Sequence, residues 1–569
     1  MERLEAKKIS GRIYYYYSKW AWVDGKCRRV WQKYLGTLEN IAKTIDGGPS
    51  PVCAEVFQWG LPIALLKECC IAEVKENTDK LCPKREQGLG VGEYITIAAI
   101  NRAICPNSKR SMWEWFSQTA LLRHFPQAAK PALTSQRFWD HMDKIDGNKA
   151  ESIWRNLLQG VSQQESIDLS KVFYDGTNFY SFIDTFNLRC EIAKRGKNKQ
   201  RRNNLRQVSY ALFCSEDGHV PLYYDIYEGN RNDAKQFPLM LQKFHNFLKS
   251  VSGEACPAAA RTTLIFDKGN NSADNITFID SLGLGFVGSV KLGEHKDLVQ
   301  IPNDDPLFKS CRTVELEGTK AFRVKKQVYG RKRILVVTHN QNLFNAQWLT
   351  LQNDITKAME KLSLVQQKLQ DRASGVIKRG KAPTVESIEK QCKTILSRQH
   401  LKRIIDYSIT KGAEGHVCLE YKIETEAVHE LSNTYLGKTI IITNREDWDN
   451  GKIIRAYRSQ FIIENVFKEM KDRTTGSWWP MHHWTDSKIR VHGLYCTIAL
   501  LIRALLFRRV TAAGLHLSMK RLLSELDDMR EIVNIYPRKR RQKSGRTQAV
   551  LSKMSDVQQQ LMAILMLNH

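Results

Sequence analysis

The sequence lacks the features that mark secreted, zinc-binding and membrane-spanning proteins. Its thirteen cysteines are an odd number without a C-x-x-C pair, which indicates neither a disulfide framework nor a zinc site. The N-terminal segment MERLEAKKIS has no apolar signal core. The most apolar stretch, residues 494–507, is short and contains Arg503, so it predicts a buried helix and no membrane span. A reducing, cytoplasmic location fits these absences best.

Acidic side chains are also scarce relative to basic ones. The chain carries 87 lysines and arginines against 60 acidic residues, a formal net charge of +27. Such a surplus favours a polyanionic partner, and nucleic acid is the leading candidate, with an anionic membrane surface as the alternative. A length of 569 residues suggests two to four domains.

The regions at the two ends differ in pattern from the middle of the chain. Residues 1–50 contain a stretch, 12–35, of alternating aromatic and polar residues around Asp24-Gly25. This pattern predicts a β-hairpin that either contacts DNA or packs on its own core. Residues 51–165 read as a helical DNA-binding or assembly region, with Thr134 as a helix cap. Residues 511–569 are predicted to be helical, and their basic run 537–546 suggests either a solvated linker or non-specific DNA binding.

Residues 166–291 change to an α/β pattern that places two aspartates on strands. Asp175 lies inside the apolar run 172–180, where an edge or turn acid is the simpler interpretation, and Asp267 ends the buried run 262–267. The order of strand, hairpin, helix, strand, helix and strand matches a ribonuclease H-like mixed sheet. In that sheet the first and fourth strands are neighbours, so the two aspartates are expected to meet. Residues 453–510 are expected to complete this catalytic domain.

Residues 292–452 interrupt this pattern and are predicted to form an insertion domain with strands and one long helix. Seven apolar side chains follow heptad spacing along that helix. They are Trp348, Leu351, Ile355, Ala358, Leu362, Val365 and Leu369. The helix is expected either to dimerise or, by preference, to fold back on a partner helix within 386–408.

A polar stripe follows the insertion in residues 457–471, YRSQFIIENVFKEMK. The segment reads as one helix on which Tyr457, Glu464 and Lys471 stand two turns apart. By itself the stripe is typical of a solvated helix face. Glu464 nevertheless supplies the third carboxylate that two strand aspartates require. Three converging carboxylates repel unless a cation lies between them, and such ligands suit two Mg²⁺ or Mn²⁺ ions that promote phosphodiester displacement.

Several motifs together resemble those of a DDE transposase of a bacterial insertion sequence, in the group with a Tyr-Arg-Glu-Lys signature. The resemblance covers most of the chain and is carried by YLGTL (34–38), CPNSKRSMWEW (105–115), YDGTN (174–178), EGNRND (228–233), LIFDKGN (264–270), IIITN (440–444) and residues 457–471. It implies that Asp175, Asp267 and Glu464 are catalytic metal ligands. It also implies that Tyr457 and Lys471 contact phosphate or DNA ends. Gln460 occupies the place of the usual arginine.

Other candidate DNA contacts are basic or aromatic residues near these motifs. They are Arg458, Lys468, Lys268, Trp484 and Arg490. Trp478, Trp479 and Trp484 are each candidates for stacking on a flipped base. His482, His483 and His492 could touch phosphates, but core or surface histidines are at least as good an interpretation.

The resemblance implies a cut-and-paste transposase that binds the terminal inverted repeats of its element, releases the ends through hairpins and joins them to target DNA. Its expected partners are double-stranded DNA and a second copy of the chain in a synaptic homodimer, associated with the bacterial nucleoid. The alternatives are another ribonuclease H-like nuclease, such as a resolvase, and a catalytically silent DNA-binding protein of the same fold. A two-carboxylate glycosidase would leave the positive charge unexplained.

Overall fold

A computed structural model describes the chain except for residues 24, 46–49, 85–86, 198–201, 253–261, 312, 413–414, 474–477, 538–545 and 569. The chain divides into two compact units, Met1–Lys144 with Leu505–His569, and Ile145–Ala504. Asp24 of the predicted N-terminal turn and most of the basic run 537–546 lie outside the described residues.

The N-terminus forms a three-stranded antiparallel sheet followed by a short helix. Its strands are β1 (Glu2–Ile9), β2 (Arg12–Val23) and β3 (Lys26–Gly36), and the helix is α1 (Leu38–Ile45). The expected hairpin corresponds to β2 and β3. Strand β1 was not expected, because its sequence ERLEAKKI lacks an alternating apolar face and almost all of it is exposed.

The next part of the chain is mainly helical, as the sequence indicates. It contains β4 (Cys53–Gln58), α2 (Gly60–Ile71), α3 (Val74–Leu81), α4 (Val91–Ile104), α5 (Met112–Phe116), α6 (Ser135–Met142) and α7 (Gly147–Glu165). Thr134 caps α6 by accepting a hydrogen bond from the Arg137 amide at 3.4 Å, as predicted. Helix α6 ends at Met142, and Asp146 caps the following helix α7 by accepting a hydrogen bond from the Lys149 amide at 2.8 Å.

The second unit is built on a mixed sheet with ribonuclease H-like topology. Its elements are β5 (Lys171–Ser181), β6 (Lys194–Arg195), β7 (Arg206–Ser215), β8 (Pro221–Glu228), α8 (Asp233–Ser252), β9 (Thr263–Phe266), α9 (Ala273–Ser281) and β10 (Gly285–Val290). The spatial order is β8, β7, β5, β9, β10, in which β7 runs antiparallel to its neighbours while β5, β9 and β10 are parallel. The first and fourth long strands, β5 and β9, are therefore adjacent.

Strands of the insertion extend this same sheet. The chain continues through α10 (Lys296–Val299), β11 (Lys309–Ser310), β12 (Thr319–Val328) and β13 (Arg331–Asn340), and later returns as β16 (Lys438–Thr443). β16 pairs with both β10 and β13, so the sheet reaches ten strands. Seven of the ten residues of β13 and five of the six residues of β16 are buried, consistent with their isoleucine and valine content.

Between β13 and β16 the insertion has a core of its own. It consists of α11 (Gln341–Ala373), α12 (Val385–Ile395), α13 (Leu401–Ile404), the hairpin β14 (Ile405–Lys411) and β15 (Val417–Ile423), and α14 (Thr425–Glu430). Leu351, Ala358, Leu362 and Leu369 of the predicted heptad seam share a buried cluster with residues of α12 and the hairpin. The seam therefore folds back within the chain, which confirms the preferred alternative.

The segment that carries the polar stripe is two helices rather than one. Helix α15 (Asn450–Arg458) ends before α16 (Phe461–Lys471) begins, so the prediction of a continuous helix over 457–471 is wrong. The Ser459 hydroxyl donates to the Arg455 carbonyl at 2.9 Å, a bond that competes with regular helix continuation. Tyr457 and Glu464 therefore belong to different helices.

The chain ends with a long apolar helix and a mixed α/β segment. These elements are α17 (Asp486–Ala512), α18 (Met519–Asp527), β17 (Arg530–Ile535), β18 (Thr547–Leu551) and α19 (Asp556–Ile564). Helix α17 alone among the described helices is long and apolar enough to cross a membrane, but 94% of its most apolar window is buried, as in a core helix. The C-terminal region is not purely helical as expected, because β17 pairs with both β4 and β18.

Candidate active site

The two predicted aspartates lie side by side at the centre of the sheet. Tyr174 of β5 is in register with Phe266 of β9, and Asp175 and Asp267 are the next residues on each strand. Both aspartates line one open cavity of about 550 Å³. The parallel strand order thus brings together two carboxylates that are distant in sequence, as predicted.

Main-chain amides orient both carboxylates. Oδ1 of Asp175 accepts a hydrogen bond from the Gly176 amide at 2.8 Å, and Oδ1 of Asp267 accepts one from the Lys268 amide at 2.7 Å. Asp267 also caps the short helical turn Lys268–Asn270, which fixes the end of β9. At both positions the amide of the following residue therefore restricts the rotation of the carboxylate at the cavity wall.

A third carboxylate, Asp233, lines the same cavity and was not predicted as a site residue. It is the first residue of α8, and its Oδ1 accepts a hydrogen bond from the Tyr227 hydroxyl at 3.0 Å. Burial raises the pKa of the adjacent Tyr174 hydroxyl, and the negative charges of Asp233 and Asp175 raise it further. The sequence signal that could have identified Asp233 as a site residue was the motif EGNRND, which ends at this aspartate.

Glu464 is exposed on α16. Before and after Glu464, the helix makes hydrogen bonds to the strands that carry the two aspartates. At its start, the Gln460 side-chain amide donates to the carbonyl of Phe266 at 2.9 Å, next to Asp267. At its end, the Lys471 ammonium donates to Thr177, two residues after Asp175. Among the described residues, however, no three His, Cys, Asp or Glu side chains are grouped closely enough to hold a metal ion. Glu464 is therefore not brought into a metal-binding group with the two aspartates.

Gln460 has a structural contact that explains its place in the sequence. Its hydrogen bond to Phe266 ties the beginning of α16 to the residue that precedes Asp267. A glutamine supplies this neutral side-chain donor without adding a charge beside the carboxylates. In this chain the position departs from the expected arginine and anchors α16 to the sheet.

Lys471 is the one predicted DNA contact that lines the acidic cavity in the described structure. Its ammonium nitrogen binds the Thr177 hydroxyl and lies 5.7 Å from the centre of the Phe179 ring. A cation on the wall of a carboxylate-lined cavity is placed to attract the phosphate of a substrate.

Tyr457 and Arg458, the last two residues of α15, form hydrogen bonds with different partners. The Tyr457 hydroxyl donates to the Ser289 hydroxyl at 2.8 Å, and burial raises the pKa of this tyrosine. The negative charge of Asp267 raises that pKa further, which reflects its proximity to the acidic cavity. Arg458 instead donates to Thr319 at 2.8 Å and lines another cavity, with Glu315 and Glu317.

Of the remaining predicted DNA contacts, two lysines are exposed and one arginine forms contacts within the protein. Lys268 and Lys468 are exposed, and Lys468 donates to Asn465 at 3.3 Å. Arg490 donates to the carbonyl of Ile226 at 2.9 Å and lies 3.7 Å from Asp225, so it braces α17 against β8.

The three candidate tryptophans differ in exposure. Trp484 is 66% exposed, whereas Trp478 is fully buried and stacks on Phe179 with ring centres 4.4 Å apart. Trp479 is partly buried against Tyr180. Trp484 is thus the most accessible of the three for stacking on a base.

The histidines nearby favour the structural interpretation. His492 is buried between the Tyr495 hydroxyl, at 2.5 Å, and the Trp478 carbonyl, at 2.7 Å, while His483 is buried 3.3 Å from the same hydroxyl. His482 is exposed.

Comparison with known proteins identifies the family. A sequence model of the transposase DDE domain matches residues 172–502, more than half of the chain, and this region contains both aspartates and Glu464. The chain belongs to the DDE transposase family. Members of this family use divalent metal ions, and the chain is accordingly a metal-dependent enzyme that cleaves and joins DNA.

Solved transposase structures show distant similarity. A piggyBac transposase synaptic complex with hairpin DNA is 9% identical with a TM-score of 0.37, covering 82% of this chain and 79% of the other. A pre-cleavage Mos1 transpososome is 12% identical with a TM-score of 0.16, covering 36% and 60%. A comparison with curated proteins gave no match. The family assignment rests on the sequence model.

Proposed function

We propose that this DDE transposase mobilises a bacterial insertion sequence of the Tyr-Arg-Glu-Lys group by a cut-and-paste route. It binds the terminal inverted repeats, releases the ends through hairpins and joins them to target DNA. The observation that carries this proposal is the pair Asp175 and Asp267, adjacent on parallel strands and lining one cavity with Lys471. The net charge of +27 supports a DNA substrate.

The carboxylates of the acidic cavity suit divalent magnesium or manganese. Asp175 and Asp267 offer hard oxygen ligands in an open cavity, and we assign Glu464 as the third ligand. Two such ions, when bound, supply an activated hydroxyl and stabilise the leaving oxygen of a phosphodiester.

The side chains around the carboxylates have separate roles in this proposal. Lys471 holds a phosphate of the DNA end, and its contact with Thr177 fixes where that phosphate lies relative to Asp175. Tyr457, held by Ser289 beside Asp267, contacts the same DNA end. Gln460 ties the beginning of α16, the helix that carries Glu464, to the residue that precedes Asp267.

We further propose that the enzyme works as a homodimer in a synaptic complex, within the bacterial cytoplasm. Basic side chains distributed over the chain then hold two element ends and the target through salt-dependent phosphate contacts. Trp484 is the residue that we assign to base stacking at the end, since it is exposed and Trp478 is not.

The proposal is tested on duplexes taken from the DNA that flanks the gene. The full chain is expected to cut and join these ends with Mg²⁺ or Mn²⁺ and to lose both activities in EDTA. Asp175→Asn and Glu464→Gln are expected to abolish cleavage without loss of DNA binding. Asp406→Asn, at an exposed carboxylate of β14, serves as the control and should remain active.

Two results would redirect the assignment. Normal cleavage without joining would favour a ribonuclease H-like nuclease. Full activity of Glu464→Gln would show that another group is the third ligand. Asp233→Asn then tests the third carboxylate that lines the cavity.

A further inference from the structure

A cluster of large apolar side chains is exposed beside the acidic cavity. Phe182, Phe186 and Leu188 are 74%, 87% and 90% exposed, and all three follow directly after β5, which carries Asp175. Globular proteins rarely leave neighbouring large apolar groups this accessible unless they bind a partner. We call residues 182–193 the projecting loop.

The projecting loop is rigidly built although its side chains point outward. The Arg206 guanidinium donates to four loop carbonyls, those of Asp184, Asn187, Cys190 and Ala193, at 2.6–2.9 Å. Buried Ile183, Cys190, Ile192 and Ala193 hold the base of the loop. Because the backbone is braced by one side chain, Phe186 and Leu188 are held in the solvent instead of collapsing onto the surface.

Further contacts fix the loop next to the active site. Asn187 donates to the carbonyl of Trp484 at 3.1 Å, and the Asp486 carboxylate accepts from the amides of Glu191 and Ile192 at 2.9 and 3.2 Å. The Phe182 ring packs edge-on against Tyr180 with centres 5.7 Å apart. Tyr180 lines the cavity that holds Asp175 and Asp267, so the loop borders the place where the chemistry occurs.

The charge around the loop indicates what it binds. Residues 182–206 contain eight lysines and arginines and two acidic residues. Arg189 and Arg195 are exposed on the loop and just after it, and exposed Lys197 lines the acidic cavity. Apolar tips next to cations match the stacked bases and phosphates of DNA, and the net charge of +27 favours such a polyanion as the partner.

We propose that the projecting loop is a DNA wedge, in which Phe186 and Leu188 insert between base pairs next to the scissile phosphate and unstack them. Arg189 and Arg195 bind the flanking phosphates, and Arg206 keeps the wedge extended. This inference rests on the proposed function, since it concerns the same DNA that the acidic cavity cleaves. The wedge acts by opening the duplex and takes no part in the phosphoryl transfer itself.

The test places 2-aminopurine near the cleavage point of a duplex from the DNA flanking the gene. Binding of the wild-type full chain is expected to raise the fluorescence of the probe, because unstacking relieves its quenching. The double variant Phe186→Ala/Leu188→Ala should lose this rise and bind the duplex about tenfold more weakly. The matched control is Leu349→Ala/Leu364→Ala, which removes two side chains of 60% and 62% exposure from α11.

A second variant isolates the bracing of the loop. Arg206→Lys keeps the positive charge, but one ammonium group cannot reach four carbonyls, so the fluorescence rise should also fall. Circular dichroism and thermal unfolding check that both variants remain folded. An unchanged fluorescence rise in the double variant would overturn the proposal.

A mismatched duplex separates this inference from the proposed function. If the wedge only opens the DNA, unpaired bases at the cleavage point should restore cleavage by the Phe186→Ala/Leu188→Ala variant. Failure of restoration would overturn the wedge while leaving wild-type cleavage intact. Loss of cleavage in the wild type as well would refute the proposed function instead. A change of oligomeric state in the double variant, with duplex opening retained, would identify the loop as a protein interface and overturn the proposal.

Discussion

Replacing Arg503 with methionine is predicted to destabilise the helix that carries Glu464, and to do so more at high pH than at low pH. Arg503 on α17 is 2% exposed, and its Nη1 lies 4.0 Å from a carboxylate oxygen of Glu469 on α16. In the described structure its Nε and Nη1 have no hydrogen-bond partner. The two helices are thus held together partly by a buried attraction between charges.

The size of the expected destabilisation depends on how far Arg503 and Glu469 are exposed to solvent. Removing one member of a buried ion pair costs about 3–5 kcal/mol, because the other charge remains buried. Glu469 retains 31% exposure and its contact is longer than a hydrogen bond, so solvent screens part of this loss. We therefore expect Arg503→Met to lower the free energy of unfolding by about 2 kcal/mol at pH 8.

The dependence on pH comes from Glu469. Burial raises the pKa of its carboxyl, while the charge of Arg503 lowers it, so the methionine variant should have a still higher pKa. A carboxyl whose folded-state pKa is raised gives its stabilisation below its unfolded-state pKa and loses it as pH rises through the folded-state value. The variant should therefore be close to wild type near pH 4 and show its full deficit at pH 8.

Thermal unfolding of the full chain at both pH values, each compared with wild type, checks this expectation. Glu469→Gln added to Arg503→Met should recover most of the loss at pH 8, because no buried charge then remains unpaired. A deficit that is equal at all pH values would refute the electrostatic reasoning. So would a double variant whose loss is the sum of the two single losses.

Four further changes have separate expected outcomes. Lys471→Ala should slow cleavage about tenfold or more, since a charged hydrogen bond to phosphate is lost, and single-turnover assays would measure this. Trp484→Ala should weaken binding of the DNA end in a fluorescence titration without changing Tm, because its ring is 66% exposed. Gly229→Ala should prevent folding, as judged by circular dichroism, because the added Cβ would lie 1.9 Å from the Gln207 carbonyl oxygen. Gly160→Ala, inside α7 with nothing within 4 Å, should instead raise stability by about 0.5–1 kcal/mol.

The sequence predicted the central sheet because its strands are buried and separated by clear turns and helices. The apolar runs around Asp175 and Asp267 defined two strands, and ribonuclease H-like order was sufficient to make them neighbours. Strand β1 was missed because it is charged and almost wholly exposed. Strand β18 was missed because it has only five residues and none of them is buried, so it lacks the alternation that marks an amphipathic sheet.

The candidate site was less predictable than the sheet. Asp233 was missed because it begins a helix after a polar turn, where an aspartate commonly caps or charges the first turn. The break at Ser459 was missed because it depends on a side-chain bond to Arg455 and on the tertiary contact of Gln460 with Phe266. Neither contact can be predicted from the spacing of residues in the sequence. That spacing showed only a regular polar stripe over residues 457–471.

The pairing of β16 with β10 has a consequence for how this chain can be altered. An insertion that formed a separate lobe could be cut out and replaced by a short linker. Here the excision of residues 292–452 would remove β16 and leave the fully buried β10 as a bare sheet edge. Such an edge pairs readily with other chains, so a minimised enzyme made in this way should aggregate. The insertion is thus a structural part of the catalytic sheet.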